Sequence, residues 1–213
     1  PFDPVQLENY IRQFVRYVQE AVFFNDVKVS QDKFAVPQSK RALGDVTTGG
    51  GLTYRFFVDA DQSITAKILG AEIEGTSVEC SGYVRLVQGA LDVYKRGFRI
   101  CSVNVPSRIG VSGRIDCDQI RPTAGRDTLD ANSTALLTSM FQKIESAAKD
   151  LILHDAELLA AHIRLVPDFV QQGKIEELGL LEVDLIGGQP LSLNEIRNLQ
   201  SAARKVFYTA TSA

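Results

Sequence analysis

The residues from Gly113 to Leu129, Gly-Arg-Ile-Asp-Cys-Asp-Gln-Ile-Arg-Pro-Thr-Ala-Gly-Arg-Asp-Thr-Leu, hold the densest set of chemically useful side chains in the chain. They read as a strand, a Pro/Gly turn and the start of a helix. Backbone N–H groups at a helix start attract anions, phosphate above all. An arginine at such a turn adds a planar fork of donors that matches phosphate oxygens. Arg126 is therefore a candidate phosphate contact, with Thr123 and Gly125 beside it in the turn. The alternative is a structural ion pair between Arg126 and Asp116, Asp118 or Asp127.

Other constellations point to less. Gly49-Gly50-Gly51 is not followed by Lys-Ser/Thr, so it is read as a loop rather than a P-loop. Asp116 and Asp118 share one face of a strand, but two carboxylates make a poor metal site. They are expected to orient Arg114, Arg121 or Arg126. His154 and His162 lack a third ligand and are read as solvated helix positions. Cys80, Cys101 and Cys117 fall in strand-like contexts and are read as buried small hydrophobes. No metal is expected.

The elements that must position these residues follow from patterning. Asp3-Pro4 is a helix start, and Leu7, Tyr10, Ile11, Phe14, Val15 and Val18 make one helical face. Val22 to Val29, with Asn25-Asp26 at its centre, reads as a tight hairpin. Residues 31 to 52 read as a loop. Strands are expected at 54–58, 63–73, 78–87, 90–105 and 113–120, mostly antiparallel because several turns are short. After Arg126 the period changes to helical, through Leu136, Leu137, Met140, Phe141, Ile144 and Leu151, with Asp127 or Asp130 as cap. A second helix is expected over 155–165, a further turn or two over 168–178, and a strand over 180–186. Ser192 and Glu195 have capping-box spacing ahead of a helix to about Arg204, and 205–211 closes as a strand.

The expected fold class is α/β (α+β): a large α/β layer with a mainly antiparallel sheet, a helical connector and a small C-terminal α/β layer. The expected division is a leading helix and hairpin at 1–35, a large subdomain at 36–150, and connector plus small subdomain at 151–213. The 213 residues carry 26 acids and 23 bases, a net −3, which argues against nucleic-acid binding through bulk charge. Residues 92 to 126 alone hold seven bases and three acids, net +4, leading into the long helix. No apolar run reaches the ~18 residues a membrane span needs. Three cysteines are a sparse set for this length, which suits a reducing, cytoplasmic compartment. The chain starts at Pro1 with no initiator Met and is read as an internal fragment.

Three segments in order resemble the middle domain of the heat-shock-protein-90 chaperone family. Ala90 to Ile100 resembles the family's Leu-Tyr-Val-Arg-Arg-Val-Phe-Ile strand. Gly113 to Leu129 resembles its Gly-Val-Val-Asp-Ser-x-Asp-Leu-Pro-Leu-Asn-Val-Ser-Arg-Glu-x-Leu, sharing Gly113, Asp116, Arg126 and Leu129, with Asp118 one position before the family's second Asp. Leu191 to Glu195 and Lys205 to Ser212 resemble its Thr-Ser-Leu-x-Glu and Lys-x-Ile-Tyr-Tyr-Ile-Thr-Gly. The resemblance spans about residues 85–213. It implies a divergent bacterial-type member and the middle segment of an ATP-dependent chaperone. In that family the middle domain supplies an Arg, here Arg126, to the γ-phosphate of ATP. ATP and Mg are held mainly by a preceding N-terminal domain, the segment's first partner. Unfolded or partly folded client proteins are the others. The full-length protein is expected to be a homodimer and this segment a monomer. Thr123 stands where the family has Asn, and Asp130 where Gln is common. Two alternatives are the transducer domain of a topoisomerase or mismatch-repair type ATPase, and a non-enzymatic interaction module with Arg126 structural.

On this reading, residues 1–213 alone neither bind ATP tightly nor hydrolyse it. Calorimetry with ATP checks this, and micromolar binding would overturn the domain assignment.

Overall fold

The computed structural model describes residues 3–48, 51–73, 76–125, 127–183 and 189–201. The chain divides into two compact units, Pro1–Ala147 and Ala148–Ala213.

The first unit begins with α1, Pro4–Val15. The Asp3 carboxylate accepts the Val5 N–H at its start, and Pro4 fills the first turn, where its missing donor leaves no bond unmade. The hairpin of β1 (Phe23–Phe24) and β2 (Val27–Lys28) turns at Asn25 and Asp26, both at positive φ (47° and 63°). Those are the residue types that tolerate this conformation in a two-residue turn.

The main sheet contains β3 (Ser39–Thr47), β4 (Thr53–Asp59), β5 (Ile64–Ile73), β6 (Thr76–Val78), β7 (Cys80–Arg85), β8 (Leu91–Lys95), β9 (Phe98–Val103) and β10 (Ser112–Cys117). Its order is β3-β4-β5-β7-β10-β8-β9, with β6 paired to β5. The pairings are antiparallel except β10 on β8, which is parallel. The protein is thus an α+β fold with a mostly antiparallel sheet. Tyr54, Phe56, Ile64, Ala66, Val84, Leu91, Val93 and Ile115, all fully buried, form the core row of one face, while Thr65, between Ile64 and Ala66, is buried on the other.

Two elements differ from the sequence expectation. Residues 39–47 are a strand, not loop. This strand lies at the sheet edge, carries Lys40, Arg41 and Asp45, and breaks register between Ser39 and Arg41 and between Ala42 and Gly44, so apolar alternation is missing from it. The segment 90–105 is a hairpin rather than one long strand. It turns at Arg96 and Gly97, whose φ values are 52° and 78°.

The opposite face of the sheet carries α1 and the chain that follows it. Phe14 packs on Phe98 of β9 at a ring separation of 6.1 Å, and Tyr17, Phe34 and Tyr94 cluster at 4.2–5.3 Å. The Arg114 guanidinium lies over the Tyr17 ring, 5.4 Å from its centre, and donates to the Tyr17 hydroxyl. After β10 comes α2, Ala131–Leu153, whose buried stripe in this unit is Leu137, Met140, Phe141 and Ile144.

In the second unit, α3 (Ala156–Ala161) is capped by Asp155, and α4 (Val166–Gln171) holds Pro167 in its first turn. Pro167 thus sits where a helix begins, just past the 155–165 helix expected from sequence. The ladder of β11 (Glu182–Val183) and β12 (Leu191–Ser192) precedes α5, Leu193–Ser201. The capping box is formed: Glu195 Oε2 accepts the Ser192 N–H at 2.8 Å, and Ser192 Oγ accepts the Glu195 N–H at 3.2 Å. Of the strand expected over 180–186, Leu180 instead ends a 3-10 turn (Glu177–Leu180), and 184–186 lie outside the described residues, as do the Gly187-Gly188 turn and the strand expected over 205–211.

A buried polar cluster ties three strands together. Asp59 Oδ2 accepts bonds from Ser63 Oγ (3.1 Å), Thr65 Oγ1 (2.8 Å) and Arg85 Nε (2.8 Å), while Arg85 also reaches Asp61 at 2.6 Å. The Asp59 side chain is 4% exposed and that of Arg85 30%. Removing the carboxylate strands a half-buried guanidinium and two hydroxyls. Asp59→Ala is expected to cost about 3 kcal/mol, the lower end of the range for breaking a buried pair, because water still reaches Arg85. The urea unfolding midpoint reads this directly.

Candidate functional site

The segment joining β10 to α2 is held at its base from several directions. Ile120, fully buried, closes a turn through its N–H to the Cys117 carbonyl at 3.2 Å, and its own carbonyl accepts Lys95 Nζ at 3.1 Å. Ser133 Oγ accepts the Arg121 N–H at 2.8 Å, and the Arg121 carbonyl accepts the Asp130 N–H at 3.0 Å. Pro122 and Leu129 then bridge across the loop, and the Thr123 N–H reaches the Thr128 carbonyl at 2.9 Å. The result is a narrow closed loop with its feet anchored in the core by Ile120 and Leu129.

Thr123 Oγ1 lies 3.0 Å from Thr128 Oγ1 and 3.3 Å from Asp127 Oδ1. The hydroxyl offered by sequence as a ligand contact is thus a cross-brace inside the loop. Ala124, Gly125 and Asp127 are exposed. A Cβ at Gly125 would come within 3.0 Å of Asp127 Oδ1, so a larger residue there would push against the brace. Arg126 lies outside the described residues. The three carboxylates named as its alternative partners have partners of their own. Asp116 accepts the Gly97 N–H at 2.5 Å, Asp118 pairs with Arg96 at 3.0 Å, and Asp127 lies in the loop brace. Burial raises the Asp116 carboxyl above its ordinary value, against the opposing pull of the Gly97 and Arg96 N–H groups.

Neither Asp116 nor Asp118 orients Arg114 or Arg121, contrary to the sequence expectation. Sequence reasoning missed Lys95 and Arg96. Both sit at or beside the β8–β9 turn, and only the parallel pairing of β8 with β10 brings that turn to the foot of the loop.

Asp130 is the cap of α2: its Oδ1 accepts the Ser133 N–H at 2.7 Å, and its carbonyl accepts Thr134 Oγ1 at 3.0 Å. Its place in the chain, where the resembled family commonly has Gln, is therefore used structurally. The Ser133 hydrogen bonds hold its carboxyl below the ordinary value of 3.8.

Of the two histidines, His154 is exposed, with Nδ1 2.7 Å from the Asp150 carbonyl, whereas His162 is buried at 7% exposure. His162 is therefore not the solvated position the sequence suggested. No group of three His, Cys, Asp or Glu able to hold a metal occurs among the described residues. None of the described helices is long and apolar enough to cross a membrane. No family model matches the chain, and no curated protein matches it.

Because the folded pKa of Asp130 is depressed, its stabilisation is present above 3.8 and is lost as pH falls through the lower folded value. Asp130→Asn, itself a competent cap, should keep much of the stability and lose this acid-side dependence. Thermal melts of both proteins between neutral pH and the carboxylate range check it.

Proposed function

We propose that this chain is the middle segment of an ATP-dependent molecular chaperone of the heat-shock-protein-90 type, and that Arg126 contacts the γ-phosphate of ATP bound by a separate nucleotide-binding domain. The observation that carries the reading is the braced loop between β10 and α2. A residue that must meet a ligand held by another domain needs a rigid mount on its own domain. Here the mount is the pair of anchored feet at Ile120 and Leu129, with Asp130 capping the helix beyond. The four residues between Thr123 and Thr128 carry Arg126 in a stretch whose described members are exposed.

In this role the guanidinium stabilises charge developing on the transferred phosphoryl oxygens, acting only when the two domains dock. ATP and Mg would be held by the nucleotide-binding domain, with Thr123 and Gly125 serving the loop's shape. Client proteins would be the other partners. The parent would act in the cytoplasm as a homodimer.

The test is steady-state ATPase of the protein that joins this segment to its nucleotide-binding domain, with nucleotide affinity measured on the same samples. Arg126→Ala should lower turnover ~10³-fold or more while affinity persists. Arg126→Lys should not restore it, because an ammonium lacks the bidentate fork. Unchanged turnover with a lowered melting temperature would make Arg126 structural and sink the reading.

A further inference from the structure

Cys80 and Cys117 face each other directly across the antiparallel pair of β7 and β10. The neighbouring pair, Glu79 and Asp118, is joined by the Asp118 N–H to the Glu79 carbonyl at 3.2 Å. Hydrogen-bonded and non-hydrogen-bonded pairs alternate along such a ladder. Cys80 and Cys117 therefore occupy a narrow, non-hydrogen-bonded position, where Cα atoms stand about 4.5 Å apart and side chains are closest. Directly opposed residues project to the same face of the sheet. A disulfide spans Cα separations of roughly 4.4–6.8 Å, so a facing pair at such a position lies within its reach.

Both are free thiols that face each other across the ladder. Their interaction lowers the Cys117 thiol below its ordinary value, and with burial it raises that of Cys80, the pattern of a Cys80 S–H donating to a Cys117 sulfur that carries the charge. Tyr54 adds a second feature. Its hydroxyl is buried with no hydrogen-bond partner among the described residues. It reaches toward β7 along the cross-strand row Tyr54–Ile68–Gly82, in which Gly82 has no side chain to block it. Cys80 is half-buried and Cys117 fully buried, so Cys80 is the residue of the pair nearer to solvent.

We propose that Cys80 and Cys117 are a dithiol–disulfide couple, closed by exchange with a low-molecular-weight disulfide. Cys80 yields its proton to the Cys117 sulfur and attacks one sulfur of the incoming disulfide, forming a mixed disulfide and expelling one thiolate, which takes up that proton and leaves Cys117 as the thiolate. The Cys117 thiolate then attacks Cys80 Sγ, forming the intramolecular bond and expelling the second thiolate. Counted from the neutral dithiol, the two protons given up by the cysteines end on the two expelled thiolates. Two protein thiols are oxidised and one external disulfide is reduced to two thiols. This inference is independent of the role proposed for Arg126.

The experiment exposes the folded chain to oxidised glutathione at neutral pH, quenches with an alkylating reagent and maps the products by mass spectrometry. The expected result is loss of two of the three thiols, a mass decrease of two hydrogens, and one linked peptide joining Cys80 to Cys117. The pair should react ~10-fold or more faster than Cys101, and a reductant should reverse the change. Cys117→Ser should stop at the glutathione adduct on Cys80, whereas Cys101→Ser should behave as the parent. A second measurement avoids substitution of a buried residue: a trivalent arsenical, which bridges two close thiols, should bind the unaltered folded chain once and block the oxidation. Similar reaction rates for all three cysteines, a linkage that includes Cys101, or no oxidation together with no arsenical binding would each overturn the proposal.

Discussion

Strand β10 is the constraint on which the rest of the molecule depends. It runs antiparallel to β7 on one side and parallel to β8 on the other, and its register fixes the positions of chemically distinct residues on both faces at once. Ile115 fills the core at zero exposure. On the other face Arg114 is delivered under Tyr17, and Asp116 beneath the Gly97 N–H. A slip of one residue would exchange the two faces and put the charges into the core. The seam with β7 is kept by two glycines. Gly82 and Gly113 have φ of 119° and 133°, and a Cβ on either would strike backbone of the facing strand, at 2.2 Å from the Arg114 carbonyl oxygen and 2.4 Å from that of Tyr83. Only residues without a Cβ satisfy both the dihedral and the close approach.

The braced loop is the continuation of that strand. Its feet are set by where β10 ends, by the buried Ile120 and by the hydrogen bonds exchanged among Arg121, Asp130 and Ser133. Lys95, brought alongside by the parallel pairing, ties the same foot to the β8–β9 turn. Local sequence therefore supplies the loop's chemistry, while a strand distant in sequence supplies part of its stiffness.

That division explains what could be read without coordinates. Features set by neighbours in sequence were legible: the Asp3-Pro4 helix start, the Asn25-Asp26 turn, the Ser192–Glu195 capping box, and the change to helical periodicity beyond Arg126. Features set by pairing were not. Strand β3 has no apolar alternation because both of its faces are largely exposed, so nothing in its residues separates it from loop. The turn at Arg96 was hidden by strand-like residues on either side, since a non-glycine at positive φ leaves little trace in composition. The partners of Asp116 and Asp118 depend on register, as does the meeting of Cys80 with Cys117. Sequence distance hid both.

Strand β3 also bears on how the protein keeps to itself. The outer strand of a sheet is a row of unsatisfied donors and acceptors that invites another chain to add on, the first step toward aggregation. Two register breaks interrupt that row here, and Lys40, Arg41 and the Asp45–Arg55 ion pair crowd it with charge. The far strand, β9, carries the aromatic contact of Phe14 from α1 on its face. One border of the sheet is thus guarded by irregularity and charge, features that steer a newly made chain away from its copies while its long-range strand pairs are still forming.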